Sequence, residues 1–351
     1  MPNRVLLGGL AGMIALAAGL PETTTRPVAT RPAVSAEEVE QLAARLQAAD
    51  QGERLAAVEA LGKCDVPRAR QALMTARRDA SRPVSLAAYR ALVSLRAPEF
   101  LPAILEALYE GDEAVRLMAI PWVAEVRPRR ASAAITGLLI DEASSEAIRL
   151  AAARALGDLR EEVGIPALAA TLNARDLPPT VTDAVRAEAA NALGILGGPF
   201  AIDELLRAAR GHRSEALRAR ALVALAPYAA QPRPGPAIIK AAQSADTDTR
   251  AQFLRAHRQS GRGAETVFRK FVSDADWSVR VEAAAGLCAL GNIEGIDLLI
   301  EALGGGDATA RSAAHEVLVK CTGQAMPPEA DPWRAWWAGA RATFRWPGKP
   351  N

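Results

Sequence analysis

The chain repeats itself at an interval close to 31 residues, and this periodicity constrains its fold more than any other feature. Nine equivalent positions, eight of them arginine and the second a serine, are separated by steps of 31, 31, 33, 37, 32, 32, 30 and 31 residues. The nine reference positions are Arg54, Ser85, Arg116, Arg149, Arg186, Arg218, Arg250, Arg280 and Arg311. Such a period is typical of arrays in which each unit packs only on its neighbours.

Two apolar columns accompany the reference positions. The residue three places later is Ala in eight of nine units, and the residue seven places later is Leu or Val in eight of nine. The first column is Ala57, Ala88, Ala119, Ala152, Ala189, Ala221, Phe253, Ala283 and Ala314. The second column is Leu61, Leu92, Val123, Leu156, Leu193, Leu225, His257, Leu287 and Leu318. Because offsets of three and seven lie on one helix face, each unit is predicted to bury one face of a helix.

A column of small polar residues lies four places before each reference position. These residues are Asp50, Ser81, Asp112, Ser145, Thr182, Ser214, Asp246, Asp276 and Asp307. Their side chains can accept hydrogen bonds from the free N–H groups of a first helical turn, so the column predicts nine N-caps. A second apolar helical pattern precedes each cap, as at Ile296, Leu299, Ile300 and Leu303. Each unit is therefore predicted to be a hairpin of two helices that buries its apolar face by stacking.

The segment 274–291, DADWSVRVEAAAGLCALG, resembles a HEAT repeat and is most similar to the short HEAT-like type named after phycobilisome lyases. The resemblance extends over about residues 36–321. It implies an all-α fold, a right-handed α-solenoid (an armadillo/HEAT-like superhelix) of about nine helical hairpins. It also implies that the reference arginines form a structural ladder of hydrogen bonds between successive hairpins. The ladder residues are Arg54, Arg116, Arg149, Arg186, Arg218, Arg250, Arg280 and Arg311. The Asp that would accompany them, six places before the reference position, occurs only at Asp79 and Asp274, so we do not expect a continuous ladder.

The two ends of the chain depart from the repeat. Residues 1–20, MPNRVLLGGLAGMIALAAGL, combine one arginine, an uncharged run and small residues before Pro21, a pattern that predicts a signal peptide or an N-terminal membrane anchor. Residues 21–35 are rich in Pro and Thr and predict an extended linker. At the other end, residues 322–351 contain Trp333, Trp336 and Trp337. We expect these tryptophans to lie on a short helix that has Asp331 as its N-cap and that covers the last hairpin, although a ligand or peptide site remains an alternative.

Two units break the pattern inside the array. The fifth has an enlarged loop, residues 173–182, with two consecutive prolines. The seventh has Phe253 and His257 where the other units have small and aliphatic residues. A larger or more polar residue at a packing position is expected to loosen the stack or change its curvature, unless it is only drift in a tolerant repeat.

Composition gives little support for catalysis or nucleic-acid binding. The net charge is +2, which shows no overall bias towards polyanions. Deoxyhypusine hydroxylase, a HEAT-like enzyme that the fold resembles, has a di-iron site that needs several His-Glu pairs. This chain has one such pair, His315 and Glu316, so both are interpreted as surface residues. We expect no catalytic, cofactor-binding or metal-binding residues, and no cofactor.

The sequence is therefore interpreted as a non-catalytic scaffold that binds an unidentified protein on the concave face of its solenoid. The leader places it outside the cytoplasm, in the periplasm or associated with the cell envelope, where residues 5–20 could attach it to a membrane. The alternative is a HEAT-like enzyme related to bilin lyases or deoxyhypusine hydroxylase. A nucleic-acid binder is the third hypothesis, and the leader and the small net charge oppose it.

Overall fold

A computed structural model of the protein describes residues 35–128 and 131–347, and every regular element in these ranges is helical. The predicted leader, residues 1–20, and nearly all of the linker lie outside the described residues. The helices are α1 (Ala36–Arg45), α2 (Gln51–Leu61), α3 (Pro67–Ala76), α4 (Arg82–Leu95), α5 (Leu101–Glu110), α6 (Glu113–Val126), α7 (Ala131–Ile140), α8 (Glu146–Leu159), α9 (Ile165–Asn173), α10 (Asp183–Leu196), α11 (Gly198–Gly211), α12 (Glu215–Leu225), α13 (Pro234–Gln243), α14 (Thr247–Gln259), α15 (Glu265–Phe268), α16 (Trp277–Leu290), α17 (Glu294–Gly305), α18 (Ala308–Thr322) and α19 (Ala330–Ala340).

Helices α1 to α18 form nine consecutive hairpins in the described part of the chain, which confirms the predicted all-α repeat array. The odd-numbered helices are the first helices of the hairpins, and the even-numbered helices are the second helices. No helix among the described residues is both long enough and apolar enough to cross a bilayer.

The two apolar columns form the core that the period predicted. All nine side chains of the first column, from Ala57 to Ala314, are at most 1% exposed, and all nine of the second, from Leu61 to Leu318, are 0% exposed. Small residues allow neighbouring helices to approach closely, and the larger residue one turn later fills the remaining space. The register of the repeat therefore determines which helix face is buried in every hairpin.

The two helix layers are not packed equally closely. Each second helix contacts the next one along the whole array from α2 to α18. The first helices contact each other less extensively, and α3 with α5, α13 with α15 and α15 with α17 have little direct contact. The second helices therefore form the more closely packed layer of the array, and we call the exposed face of this layer the inner surface.

The seventh hairpin replaces aliphatic packing with a buried histidine. His257 is 0% exposed, and its Nε2 accepts a hydrogen bond from the backbone N–H of Ala264 at 3.0 Å. Its Nδ1 therefore carries the proton and donates to the carbonyl of Ala226, 2.7 Å away. Phe253 stacks on one side of the imidazole, and Phe268 packs at a tilt with ring centres 5.2 Å apart. The side chain is therefore fully buried and hydrogen-bonded at both ring nitrogens, and its contacts join three hairpins.

Hairpin eight adapts to that aromatic cluster. Its first helix, α15, has only four residues, and the ring of Phe268 at its end lies directly against Gly286 of α16. A Cβ atom on Gly286 would come within 2.2 Å of this ring, so the close approach requires glycine.

The tryptophan-rich segment packs on the last hairpin. Trp333 is 0% and Trp337 5% exposed, and both join α17 and α18 in one apolar cluster. The indole N–H of Trp333 donates to the carbonyl of Pro327 at 2.8 Å, and that of Trp337 donates to Asp297 at 2.7 Å. Trp336 is partly buried and meets Trp333 edge to face. The segment thus covers the apolar end that the last hairpin would otherwise expose.

One detail of this helix was predicted wrongly. Helix α19 begins at Ala330 with Glu329 in the N-cap position, so Asp331 lies inside the first turn instead of capping it. Its carboxylate pairs with Arg334 three residues later, at 2.9 Å. An acid in the first turn is favourable beside the N-terminal end of a helix dipole, which makes either arrangement compatible with the sequence.

We expect the buried neutral His257 to make stability depend on pH. Burial lowers the pKa of His257 in the fold, whereas in the unfolded chain the pKa returns to about 6.5. The unfolded state therefore binds more protons at low pH, and the free energy of unfolding should fall as the pH drops below about 6.5, with a slope of up to about 1.4 kcal/mol per pH unit. Urea denaturation over this pH range measures the slope.

The variant His257→Leu, which introduces the residue of the other hairpins, should flatten the pH dependence even if it lowers the stability at neutral pH. Burial, followed by the charge of Arg186, also lowers the pKa of His212. The matched variant His212→Asn therefore measures how much His212 contributes to the pH dependence of stability. An unchanged slope in His257→Leu would show that this histidine does not couple protonation to folding.

Candidate functional site

The five predicted aspartate caps all lie at helix N-termini and accept backbone hydrogen bonds there. The backbone N–H groups that donate to Asp50, Asp112, Asp246, Asp276 and Asp307 belong to Glu53, Val115, Thr249, Ser278 and Ala310, respectively, at distances of 2.8 to 2.9 Å. A side-chain hydrogen bond from Thr249 lowers the pKa of Asp246, and one from Ser278 lowers that of Asp276. These carboxylates therefore stabilise the starts of second helices.

The reference arginines mostly serve their own hairpin. Their guanidinium groups donate to backbone carbonyls at or just beyond the end of the first helix, which have no partner within that helix. The acceptors are Ala48 and Ala49 for Arg54, Tyr109 and Gly111 for Arg116, Leu139 and Asp141 for Arg149, Thr171, Leu172 and Ala174 for Arg186, His212 for Arg218, Ala245 for Arg250, and Gly306 for Arg311. Each of these arginines thus connects the second helix of its hairpin to the C-terminal end of the first helix.

Only part of the expected ladder links one hairpin to the next. Arg54 forms a two-pronged ion pair with Asp79, at 2.9 and 3.1 Å, and Arg250 forms another with Asp274, at 2.8 Å for both contacts. Arg149 donates to the hydroxyl of Thr180 at 3.0 Å in the same position. The inter-hairpin carboxylate therefore occurs where the sequence has an Asp six places before the reference position.

The remaining reference arginines do not extend the ladder among the described residues. In the part of the chain that the structure describes, Arg116, Arg186 and Arg218 form no hydrogen bond or ion pair with the following hairpin. Arg311 belongs to the last hairpin, and the guanidinium of Arg280 lies over the ring of Trp277, 3.3 Å from its centre. The physical reason is the absence of a carboxylate at the matching position of the next hairpin. The reference arginines therefore form interrupted inter-hairpin pairs and not one continuous ladder.

A second series of contacts between hairpins was missed by the sequence analysis. In hairpins four to six, the hydroxyl group of the N-cap residue donates to the acid that begins the second helix of the preceding hairpin. These pairs are Ser145 with Glu113 at 2.5 Å, Thr182 with Glu146 at 2.7 Å, and Ser214 with Asp183 at 2.9 Å. Their signal in the sequence was an acidic residue three places before the reference position in units three, four and five, followed by a hydroxyl N-cap in the next unit. Hydroxyl–carboxylate bonds of this kind fix the N-terminal ends of neighbouring second helices relative to one another.

The inner surface formed by the second helices carries charges of both signs. Ion pairs between adjacent helices join Arg90 to Asp112 at 2.7 Å, Arg154 to Glu188 at 3.0 Å, and Arg255 to Glu282 at 2.5 Å. Exposed apolar side chains interrupt the charges, as at Met118, which is 38% exposed. The surface is therefore mixed rather than uniformly basic or acidic.

The sequence's HE pair does not form a site in the described structure. His315 is partly buried, its Nε2 lies 2.7 Å from the carbonyl of Met326, and its ring meets Trp333 edge to face. Glu316 is exposed. The prediction that both are surface residues is correct for Glu316 alone, because His315 joins α18 to the C-terminal segment. The described residues contain no group of three or more His, Cys, Asp or Glu side chains arranged to hold a metal ion.

We expect Arg250 and Asp274 to couple hairpins seven and eight energetically. Their side chains are 14% and 12% exposed, and the two-pronged geometry favours a net contribution. Replacing each by Ala, and then both, should give a coupling free energy of about 1–3 kcal/mol in urea denaturation.

The matched control is Arg218→Ala combined with Ser244→Ala. These residues occupy the equivalent positions one hairpin earlier, where no inter-hairpin bond is present, so their effects should add within about 0.5 kcal/mol. Equal coupling in both cycles would contradict a specific role of the carboxylate.

Comparison with known proteins agrees with this architecture. The sequence model of the family described as HEAT repeats matches residues 39–113, 101–184 and 235–319, and that of the PBS lyase HEAT-like repeat matches residues 185–211. No curated protein matches the chain.

Several solved structures are similar at low identity. The complex of CpcE and CpcF of phycocyanin lyase from Nostoc sp. PCC7120 matches with 22% identity over 68% of this chain and 92% of that chain, with a TM-score of 0.35. Human deoxyhypusine hydroxylase in complex with glycerol matches with 17% identity over 76% and 96%, with a TM-score of 0.29. An engineered protein matches with 19% identity over 80% and 95%, with a TM-score of 0.22. Similarity at this level says nothing about activity.

The matched segments and the nine stacked hairpins lead to one classification. Because the HEAT-repeat model covers more than half of the chain, this protein belongs to the HEAT-repeat family.

Proposed function

We propose that this protein is a binding scaffold that holds a partner protein on its inner surface. The observation that carries this proposal is the unbroken contact of second helices from α2 to α18, which produces one continuous surface along the array. Solenoids use such extended concave surfaces for recognition, and the stacking of many hairpins keeps the surface in one shape. Because a preorganised surface loses little conformational entropy on binding, it can hold a partner with modest contacts per unit area.

The chemistry of the inner surface suits a protein better than a polyanion. Basic and acidic residues both occur along it, and several pair with each other between hairpins, as Arg154 does with Glu188. A nucleic acid would need a continuous basic groove to neutralise its phosphates. Exposed Met118 and Arg220, on α6 and α12, offer an apolar and a charged contact residue of the kinds enriched in protein interfaces.

The place of action is part of the same proposal and rests on the sequence. The basic residue, short apolar run and small residues of 1–20 match a secretory signal, and the Pro/Thr-rich residues up to 35 would act as a tether between leader and array. The scaffold would then work outside the cytoplasm.

Site-specific photo-crosslinking tests the binding surface. A photoreactive amino acid at Met118 or Arg220 of the inner layer should give an adduct with one and the same partner in cells that produce the protein naturally. The matched controls are Tyr109 and Ile140 on first helices, which are 57% and 59% exposed and should give no such adduct.

Adducts at the control positions alone would contradict the assignment of the inner surface. Purified protein that holds iron in stoichiometric amount, or that attaches a bilin to an acceptor protein, would instead support the enzymatic alternative.

A reporter fusion tests the location. Alkaline phosphatase, which is active only where disulfides form, is fused after Val34 in a bacterial host and should be active. Changing Leu6 and Leu7 to Asp in the leader should abolish this activity because the apolar run is interrupted. An inactive phosphatase fusion together with an active cytoplasmic reporter at the same site would exclude export.

A further inference from the structure

A cavity with an unusual charge lies between hairpins five and six, where their intra-hairpin loops meet. It has a volume of about 440 Å³, within the range of small-molecule sites. Four arginines and one histidine line it, namely Arg175, Arg186, Arg207, Arg213 and His212, and no carboxylate does. The neighbouring cavity between hairpins six and seven, by contrast, is lined by charges of both signs, including Glu215 and Asp246. We call the first cavity the arginine pocket.

The repeat pattern explains why positive charge accumulates there. His212 occupies the position six places before a reference arginine, where hairpins two and eight carry Asp79 and Asp274. Those aspartates neutralise the arginine of the preceding hairpin, Arg54 and Arg250, respectively. In hairpin six the corresponding residue is a histidine, so Arg186 receives no carboxylate from the following hairpin.

Arg213 adds a further charge at a position that is otherwise small or apolar. The equivalent residues in the other eight units are Ala49, Ala80, Gly111, Ser144, Val181, Ala245, Ala275 and Gly306. Arg175 comes from the enlarged loop of hairpin five, which accounts for the step of 37 residues in the period. Both unusual features of the sequence thus supply guanidinium groups to the same pocket.

The nearby carboxylates are already engaged. Glu204 is 5% exposed, accepts a hydrogen bond from Asn173 at 2.8 Å and pairs with Arg207 at 3.1 Å. Asp183 accepts a hydrogen bond from Ser214 at 2.9 Å. Arg175 and Arg213 are exposed and form no ion pair with another described residue.

The remaining groups repel one another. Arg186 is only 5% exposed, and burial lowers the pKa of its guanidinium, with the charge of Arg213 lowering it further. Burial and then Arg186 lower the pKa of His212 in the same way. Nδ1 of His212 accepts a hydrogen bond from the backbone N–H of Ser214 at 3.1 Å, so Nε2 carries the ring proton and can donate. Nη1 of Arg186 already donates to three carbonyls of hairpin five, and Arg207 pairs with Glu204. The pocket still presents the guanidinium groups of Arg175 and Arg213 and Nε2–H of His212, with no carboxylate in its lining to match their charge.

We propose that the arginine pocket binds a small multivalent anion, an organic phosphate or a polycarboxylate, through Arg175, Arg186, Arg213 and Nε2–H of His212. Planar guanidinium groups bind phosphate and carboxylate oxygens through two parallel hydrogen bonds, which suits both ligand types. The anion neutralises Arg186 as Asp79 neutralises Arg54, and it connects hairpin five to hairpin six. Binding at this edge of the array is separate from docking on the inner surface.

Isothermal titration calorimetry of the purified chain tests the proposal, with pyrophosphate and citrate as separate probes. At least one of them should bind with a stoichiometry of one and raise the thermal unfolding temperature. Arg213→Ala, which introduces the residue of several other hairpins, should weaken binding at least roughly tenfold because a charge-assisted contact is lost. Tighter binding of pyrophosphate would identify a phosphate site, and tighter binding of citrate a carboxylate site.

His212→Asp provides the sharper variant. It introduces the carboxylate found at Asp79 and Asp274, so it should pair with Arg186, weaken binding of the anion at least roughly tenfold, and keep or raise the unfolding temperature without ligand. The matched control is Arg210→Ala, an exposed arginine of the same hairpin that lines the neighbouring cavity, and it should leave the affinity within about twofold.

Absence of binding to the unaltered chain by both probes at millimolar concentration would overturn the proposal. So would an equal loss of affinity in Arg210→Ala and Arg213→Ala, since that result indicates general attraction to positive charge. Undiminished binding in a folded His212→Asp variant would also contradict it.

Discussion

The structure depends on the burial of one helix face between consecutive second helices. An Ala and a Leu, one turn apart, recur on that face, as Ala152 and Leu156 do in α8, and both are 0% exposed. Burying a leucine side chain stabilises a fold by roughly 1.5–3 kcal/mol, but here the burial is complete only when the neighbouring hairpin is present. No hairpin can therefore be stable alone, and the last one needs the tryptophan-rich segment to cover it. Trp333, fully buried with its N–H bonded to Pro327, meets that need.

Polar contacts between hairpins are less regular than the apolar ones, because most of the polar groups are already hydrogen-bonded within their own hairpin. A reference arginine such as Arg116 first satisfies the carbonyls of Tyr109 and Gly111 within its own hairpin, a local task that every hairpin faces. An ion pair with the next hairpin is an addition, present at Asp79 and Asp274 and replaced by a hydroxyl at Thr180. The array tolerates this variation because stacking of the apolar columns already fixes the distance between hairpins.

The departures from the repeat gather in hairpins five to seven. The long loop after α9 and the residues His212 and Arg213 produce a basic cavity, while His257 and Phe253 produce an aromatic contact. In both places a residue that looks unfavourable in the repeat pattern has a defined environment in the fold. Burial of a histidine costs little when it is neutral and both ring nitrogens are hydrogen-bonded, as at His257. Arg175 and Arg213 have no carboxylate beside them in the lining of the arginine pocket, which is why that cavity points to an external anion.

The sequence by itself determined the helical hairpins, their number, the N-cap positions of their second helices and the buried face, although the side chains of Ser81 and Ser214 do not cap. These features depend on residues close together in the chain: an Asp such as Asp112 bonds an N–H three residues later, and offsets of three and seven share a helix face. The tertiary structure decided which groups meet across hairpins: Arg186 faces His212 instead of an aspartate, Ser145 bonds Glu113, and His257 bonds the carbonyl of Ala226. Those partners lie about 26 to 32 residues apart in the chain, and their distance depends on how each loop sets neighbouring helices, a property that periodicity does not encode.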